Sequence, residues 1–405
     1  MTKLSDVLLS PKTTLPALLT AAGAPSFFTS ILVPLRESCA LLPQAIMSQV
    51  LSSYPNRHRA WRIGFIMQII ATVLMLVFGL SLTSFLAGIA VVSSLTLWSL
   101  SRALCSLTNK DIQGTHIDKG NRGKLIGSAA TISSTFSITV GILALLYGNL
   151  SQSADTSYII ILGFVAVFTQ ITCLFVMWPL KTVVDISRNN DTKNKTSKTG
   201  GKDRLKIVSL FKAHKLKALL EMSTTLKTFI YARSFMSNSA LMAPVFTLAY
   251  TKDPMSILAW LIIAQASAGF VSSYIWGRVS DKSALLSMQI GALLACLSGG
   301  VLLSSLIFYS QYVGFAWFIV SLFFILNIGH NGVRTGRKIY SVDIAEEHER
   351  TDFVAKSNTY VGSFILLAGA ALSLLSLYSL HLVLVVMIMS LLIGAALTLS
   401  LPKEK

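Results

Sequence analysis

The chain has 405 residues, of which 53% are hydrophobic and 13% charged, with a mean hydropathy of +0.67. A soluble domain carries about 25% charged residues, so this composition excludes a water-soluble enzyme, which would expose large apolar patches. The formal net charge of +17 does not point to nucleic acid, because the bases fall in short gaps between apolar runs instead of gathering on one face beside stacking aromatics.

A helix that crosses a bilayer needs about 20 mostly apolar residues. Twelve runs qualify: 14–34, 36–53, 62–80, 84–106, 124–147, 157–178, 224–250, 255–275, 285–308, 312–332, 355–378 and 381–401. In lipid only a helix satisfies its own backbone, so the expected fold is all-α and membrane-spanning, with twelve helices. Residues 1–14, with Lys3 and Lys12, read as a short polar tail. The apolar run behind them lacks a cleavage site and reads as the first span, not a signal peptide. With that tail inside, the inner loops and termini hold 29 of the 34 Lys/Arg, and the outer loops hold Arg36 and Lys252. Basic residues are retained on the cytoplasmic side, so both termini are expected there, in an inner or plasma membrane.

Ionisable and polar groups inside spans are costly and usually line a cavity. Glu37 opens the second span beside Arg36, and Gln44 and Ser48 continue its face. Glu37 is a proton-coupling candidate, or a local partner of Arg36 at the outer mouth. In the fourth span Arg102 shares a face with Ser99 and Ser106; it reads as a substrate contact or as a base snorkelling to the surface. Ser128, Thr131, Thr135 and Thr139 form a stripe on the fifth span, either lining a cavity or allowing close packing.

Residues 181–220 carry eleven Lys/Arg against Asp185, Asp191 and Asp203 and form a cytoplasmic basic linker. Within it, 205–220 reads as a basic amphipathic helix on the membrane surface. The linker divides the chain into two six-helix bundles, 1–180 and 221–405. In the seventh span Lys227, Tyr231, Ser234 and Asn238 follow helical spacing on one face, with Arg233 and Ser237 beside them. Arg233 lies about 14 Å in from the inner end and reads as an anion contact or as a structural pair. Tyr231, Ser234 and Asn238 join Gln44 and Arg102 as substrate-binding candidates. In the tenth span Asn327, His330, Asn331 and Arg334 share a face. His330 titrates near physiological pH and is a second coupling candidate, or a hydrogen-bonded structural residue. Cys39, Cys105, Cys173 and Cys296 lie in or beside apolar runs and read as buried hydrophobes, with no disulfide or metal pattern and no cofactor implied.

The halves also repeat. Lys110-Asp111-Ile112, Ile117 and Arg122 match Arg337-Lys338-Ile339, Ile344 and Arg350 at an offset of 227 or 228 residues, in what read as loops after the fourth and tenth spans. Leu51 to Arg59 matches the region of Trp276 to Lys282, read as the loop between spans eight and nine. Gly277-x-x-x-Asp281-Lys282 resembles the signature loop of the major facilitator superfamily, and Asn56 and Arg57 stand at its first-half position. The resemblance implies two pseudo-symmetric bundles that rock about a central site. It also implies a gating contact at Asn56, Arg57, Gly277, Asp281 and Lys282. There Gly277 allows close helix approach and Asp281 either caps the next helix or pairs with a base. Drug antiporters of that family carry a Gly-Pro signature in span five, absent here. No G-x-x-x-x-G-K-[ST] loop is present, so an ion gradient, by default protons, is the expected drive. The expected function is a secondary transporter of a small solute, a monomer in the lipid bilayer with no nucleic-acid partner. The alternatives are a polytopic acyl or glycosyl transferase built on His330-Asn331, or a transport-inactive sensor.

Overall fold

The computed structural model describes residues 2–44, 47, 51, 57–116, 122–151, 157–179, 224–253, 255–344 and 350–402. All the regular structure among them is helical. In chain order the helices are α1 (Thr2–Leu8), α2 (Thr14–Ala21), α3 (Ser26–Leu41), α4 (Arg57–Ser81), α5 (Ser84–His116), α6 (Arg122–Ser151), α7 (Ser157–Met177), α8 (Thr224–Met236), α9 (Asn238–Leu241), α10 (Ala243–Ala249), α11 (Met255–Lys282), α12 (Ala284–Phe308), α13 (Ser310–Val313), α14 (Ala316–Asp343), α15 (Arg350–Leu375) and α16 (Leu380–Leu399). Eight of these are long and apolar enough to cross a membrane. The remaining passes are α1 with α2, α3, α6, and α8 through α10, which gives twelve spans in two six-helix bundles. The basic linker, Ser48 and Asn56 lie outside the described residues, as does the side chain of Arg57.

The first two spans differ from the sequence expectation. The chain turns at Ala22 to Pro25, where Gly23 adopts φ +69°, and then runs helically through Pro34, Arg36 and Glu37. Hydropathy puts the boundary between the first two spans at these residues instead. A proline inside a span is tolerated when neighbouring helices re-satisfy the backbone, and glycine supplies the left-handed turn at no steric cost. The first span therefore covers residues 2–21, not 14–34, and the supposed polar tail is inside the bundle, with Leu4, Ser5, Leu8 and Leu9 buried.

The first and seventh spans are both broken. Pro11 has no backbone N–H, and Ser10 holds the gap: its hydroxyl accepts from the Lys12 backbone N–H (3.1 Å), and its carbonyl accepts from Thr13 and Leu15. Thr14 Oγ1 donates to the Leu8 carbonyl at 2.6 Å. In the seventh span Ser237 and Ser239 donate to the carbonyls of Arg233 and Met236, each at 2.9 Å. Side chains thus replace the ladder where the helix lets go.

Two antiparallel seams join the bundles, α3 against α15 and α6 against α11. Along the first, Ser26 Oγ donates to the Ser376 carbonyl (3.1 Å), Pro34 faces Gly369, and Asn358 Nδ2 donates to Gln44 Oε1 (3.2 Å). A Cβ on Gly369 would collide with the Pro34 ring, so the close approach requires glycine there. The outer half-helices α2 and α10 pack against each other at the end away from the termini.

The described parts of the expected loops after spans four and ten are mostly helical. α5 continues to His116 and α14 to Asp343, so the Lys110 and Arg337 repeats are matching helix extensions. The signature segment differs too: Gly277 to Lys282 is the last part of α11, not a loop. Ser283, not Asp281, caps α12 by accepting from the Leu286 N–H (3.2 Å). A Cβ on Gly277 would meet nothing within 4 Å, so close packing does not require this glycine.

Candidate functional site

A cavity of about 240 Å³ opens between the bundles, and its polar lining comes from Asp6 on α1, Arg36 and Glu37 on α3, Gln44 beyond the end of α3, Ser99, Arg102 and Ser106 on α5 and Arg334 on α14. The turn at Ala22 to Pro25 is what brings these groups together. With α3 starting at Ser26, Arg36 lies ten residues in, about 15 Å along the helix and so at mid-membrane. The pair Arg36 and Glu37 is therefore inside the protein, not at an outer mouth.

Asp6 is the centre of the first-half network. Arg102 Nη2 donates to Asp6 Oδ2 at 2.6 Å, and Arg36 approaches the same oxygen at 3.9 Å and Glu37 Oε1 at 3.9 Å. Trp98 lies beneath both guanidinium groups, with centroid distances of 5.4 Å to Arg36 and 6.0 Å to Arg102. Arg102 thus turns inward to a carboxylate and does not snorkel. The sequence hides Asp6 because residues 1–14 read as a tail. The signal for it was the apolar spacing Leu4, Leu8, Leu15 and Leu18, followed by the Gly23-Ala24-Pro25 turn.

The second-half lining is different. Arg334 is eighteen residues into α14, the depth of Arg102 in α5, and it is exposed toward the cavity. Among the described residues it has no ion pair. Lys12, at the break in the first span, is 8% exposed and likewise has no ion pair among them. Glu37 lies within electrostatic reach of Lys12, Arg36, Arg334 and Arg337. Three cations, Arg36, Arg102 and Arg334, line this cavity against two carboxylates, Asp6 and Glu37, an excess of one positive charge.

The seventh-span stripe does not continue as expected, because the helix breaks at Ser237. Arg233, buried, donates to Ser357 Oγ (3.0 Å) and Asn358 Oδ1 (2.7 Å) on α15, and Asn358 passes the contact to Gln44. Asn238 faces the twelfth span, with its amide donating to Ser390 Oγ at 2.6 Å. Ser234 is buried and Tyr231 is half exposed; neither lines the cavity. His330 is in the middle of α14, buried, with Nδ1 3.1 Å from Ser239 Oγ. Asn331 bonds Ser272 instead (3.3 Å), so His330 and Asn331 do not form a joint transferase-like site. Asp281 and Lys282 are exposed and have no ion pair among the described residues. No metal-binding group of His, Cys, Asp or Glu occurs among the described residues, and the four cysteines are free.

The whole chain superposes on solved transporters. It is similar to a D-xylose–proton symporter (TM-score 0.70, 12% identity, 99% of this chain and 97% of that one). It is also similar to the E. coli xylose transporter XylE in an inward-open conformation (0.68, 13%, 100% and 96%). A third likeness is to the nucleoside transporter NupG (0.65, 11%, 98% and 97%). The fold is that of the major facilitator superfamily. No family profile matches the sequence, and no curated protein matches it. In that fold the α3–α15 and α6–α11 seams are the surfaces on which the bundles meet.

Proposed function

We propose that this major facilitator-type protein is a secondary transporter that carries a small anionic solute across the membrane by alternating access. The excess of positive charge around a cavity between the bundles carries this reading. Buried charge is costly, and an anion entering the cavity offsets it. Of the sequence candidates, Gln44 and Arg102 line the cavity. Arg233 acts on it from behind, through Asn358. Tyr231 and Ser234 are kept as candidates for other stages of the cycle, and Asn238 as a structural contact.

Proton coupling is part of the proposal, and likeness to a xylose–proton symporter supports it. Glu37 is the first carrier. Asp6 joins it, because Asp6 Oδ1 is buried with no hydrogen-bond partner. His330 is the weaker candidate: every charged group within its electrostatic reach is a cation. The basic linker and terminal ends face the cytoplasm in this scheme.

The test is flux into vesicles reconstituted with the full chain, with and without an inward-acidic pH gradient. Radiolabelled organic anions are expected to accumulate, faster with the gradient, and Glu37→Gln is expected to remove the pH dependence. No anion flux under either condition overturns the transporter reading. Anion flux indifferent to pH removes only the coupling.

A further inference from the structure

The cavity's three arginines are not equivalent. Arg102 donates to Asp6 at 2.6 Å, and Arg36 lies 3.9 Å from both Asp6 and Glu37. Arg334 lines the same cavity, is exposed, and among the described residues has neither an ion pair nor a hydrogen bond. The unmatched charge of the lining is therefore a guanidinium. The neutral polar groups divide in the same way. Ser99 Oγ donates to the Leu95 carbonyl of its own helix at 2.7 Å. Ser106 is exposed and has no hydrogen bond among the described residues, so its hydroxyl is free. Gln44 gives one amide hydrogen to the Ala40 carbonyl (2.7 Å) and accepts from Asn358 (3.2 Å). A second amide hydrogen and a second lone pair are left to it. The apolar lining is scant: Ala40, Ala103 and Trp98, with no aliphatic side chain larger than a methyl.

We propose that the cargo is a small hydroxylated monocarboxylate, a hydroxy acid or sugar acid, with its carboxylate on Arg334 and its hydroxyls on Ser106 and Gln44. This rests on the transporter reading above and names its substrate class. A planar guanidinium takes a carboxylate through two parallel N–H···O bonds. The charge balance sets the valence: three lining cations against two carboxylates leave one positive charge to match. A phosphate monoester carries about −1.5 to −2 at neutral pH, and a second carboxylate would meet no unmatched cation. Hydroxyls answer the free groups of Ser106 and Gln44, which an alkyl acid would leave unpaired. The scant apolar wall also gives an alkyl chain little burial. The volume of about 240 Å³ is that of about eight waters at ~30 Å³ each. A compact solute of about three to six carbons fills such a space at the packing density of a protein interior.

The test is equilibrium binding to purified full-length protein, read by calorimetry with two matched sets of probes. Gluconate is compared with sorbitol, which lacks the charge, with hexanoate, which lacks the hydroxyls, and with glucarate, which adds a second carboxylate. Lactate is compared in the same way with 1,2-propanediol, propionate and tartronate. In at least one set the hydroxy monocarboxylate is expected to bind at least tenfold tighter than its three counterparts. Arg334→Gln is expected to remove the preference over the neutral polyol, and Arg334→Lys to keep most of it. Ser106→Ala is expected to weaken the hydroxy acid about fivefold and to leave the alkyl acid unchanged. Arg334 and Ser106 have no internal partner to lose among the described residues, so these variants are expected to melt with the parent protein. An alkyl acid or dicarboxylate that binds as tightly as the hydroxy acid in both sets overturns the proposal. So does binding of neither hydroxy acid, or an unchanged preference in Arg334→Gln. Vesicle flux keeps the two readings apart. Transport of alkyl acids, dicarboxylates or phosphates alone refutes the hydroxy acid and leaves the transporter. Tight hydroxy-acid binding without flux does the reverse.

Discussion

Asp6 and Arg102 show how much rests on single side chains. Their 2.6 Å contact is partly sheltered, with side-chain exposures of 17% and 25%. Removing one partner strands the other charge. Asp6→Asn is therefore expected to destabilise the protein by about 2–4 kcal/mol, and the double variant with Arg102→Gln by less than the sum of the two single effects. Thermal melts in detergent measure this, and strict additivity would show that the pair does not interact. Arg102 was legible from sequence as an intramembrane base, but its partner was not. Hydropathy averages over a window, and Asp6 and Lys12 depress the average enough to make a broken helix look like a tail. Glu37 reads from sequence as opening the second span at the outer mouth, whereas the structure places it well inside α3, because the turn lies at Ala22 to Pro25 and not near Arg36.

The elements divide in the same way. Spans three to six and eight to twelve were legible because long apolar runs bounded by charge have one solution in lipid. The breaks in the first and seventh spans were not, since they depend on which Ser and Thr hydroxyls find free carbonyls. The signature segment separates the two levels of argument. At Gly277 the helix is open on the outside, so Gly277→Ala is expected to stabilise by about 0.5–1 kcal/mol, with transport intact. A loss of folding or flux in that variant would restore the close-packing role. Asp281→Ala is expected to leave stability within about 0.5 kcal/mol, because the side chain is exposed. If Asp281 takes part in gating, as the resemblance implies, the substitution still changes the balance of open states, read as a shift in accessibility of a cysteine placed in the cavity. Gly369→Val, by contrast, drives a branched side chain into Pro34 and is expected to cost about 1–3 kcal/mol and slow transport.

At the end of the molecule away from the termini the bundles are joined by the α3–α15 seam, where Ser376 Oγ lies 3.5 Å from Ser26 Oγ. Cysteines at both positions, in a chain without its four native cysteines, are expected to cross-link on oxidation. The lock should stop turnover and leave binding from the opposite end in place; unimpeded turnover of the cross-linked protein would mean that the seam does not move. The twelve-span architecture was legible from charge and hydropathy. The meeting of the bundles was not, because it depends on small residues such as Gly369 that no periodicity marks. The broken first span has a consequence for how the chain is made. Asp and Lys at the centre of a lone helix each oppose entry into the bilayer by about 2.5–3.5 kcal/mol on insertion scales. Asp6, Lys12 and the gap at Pro11 make residues 2–21 a poor guest for lipid on their own. During synthesis this segment should wait at the translocation channel until Arg36 emerges. It would then pass into the membrane as a hairpin with α3, its acid already matched.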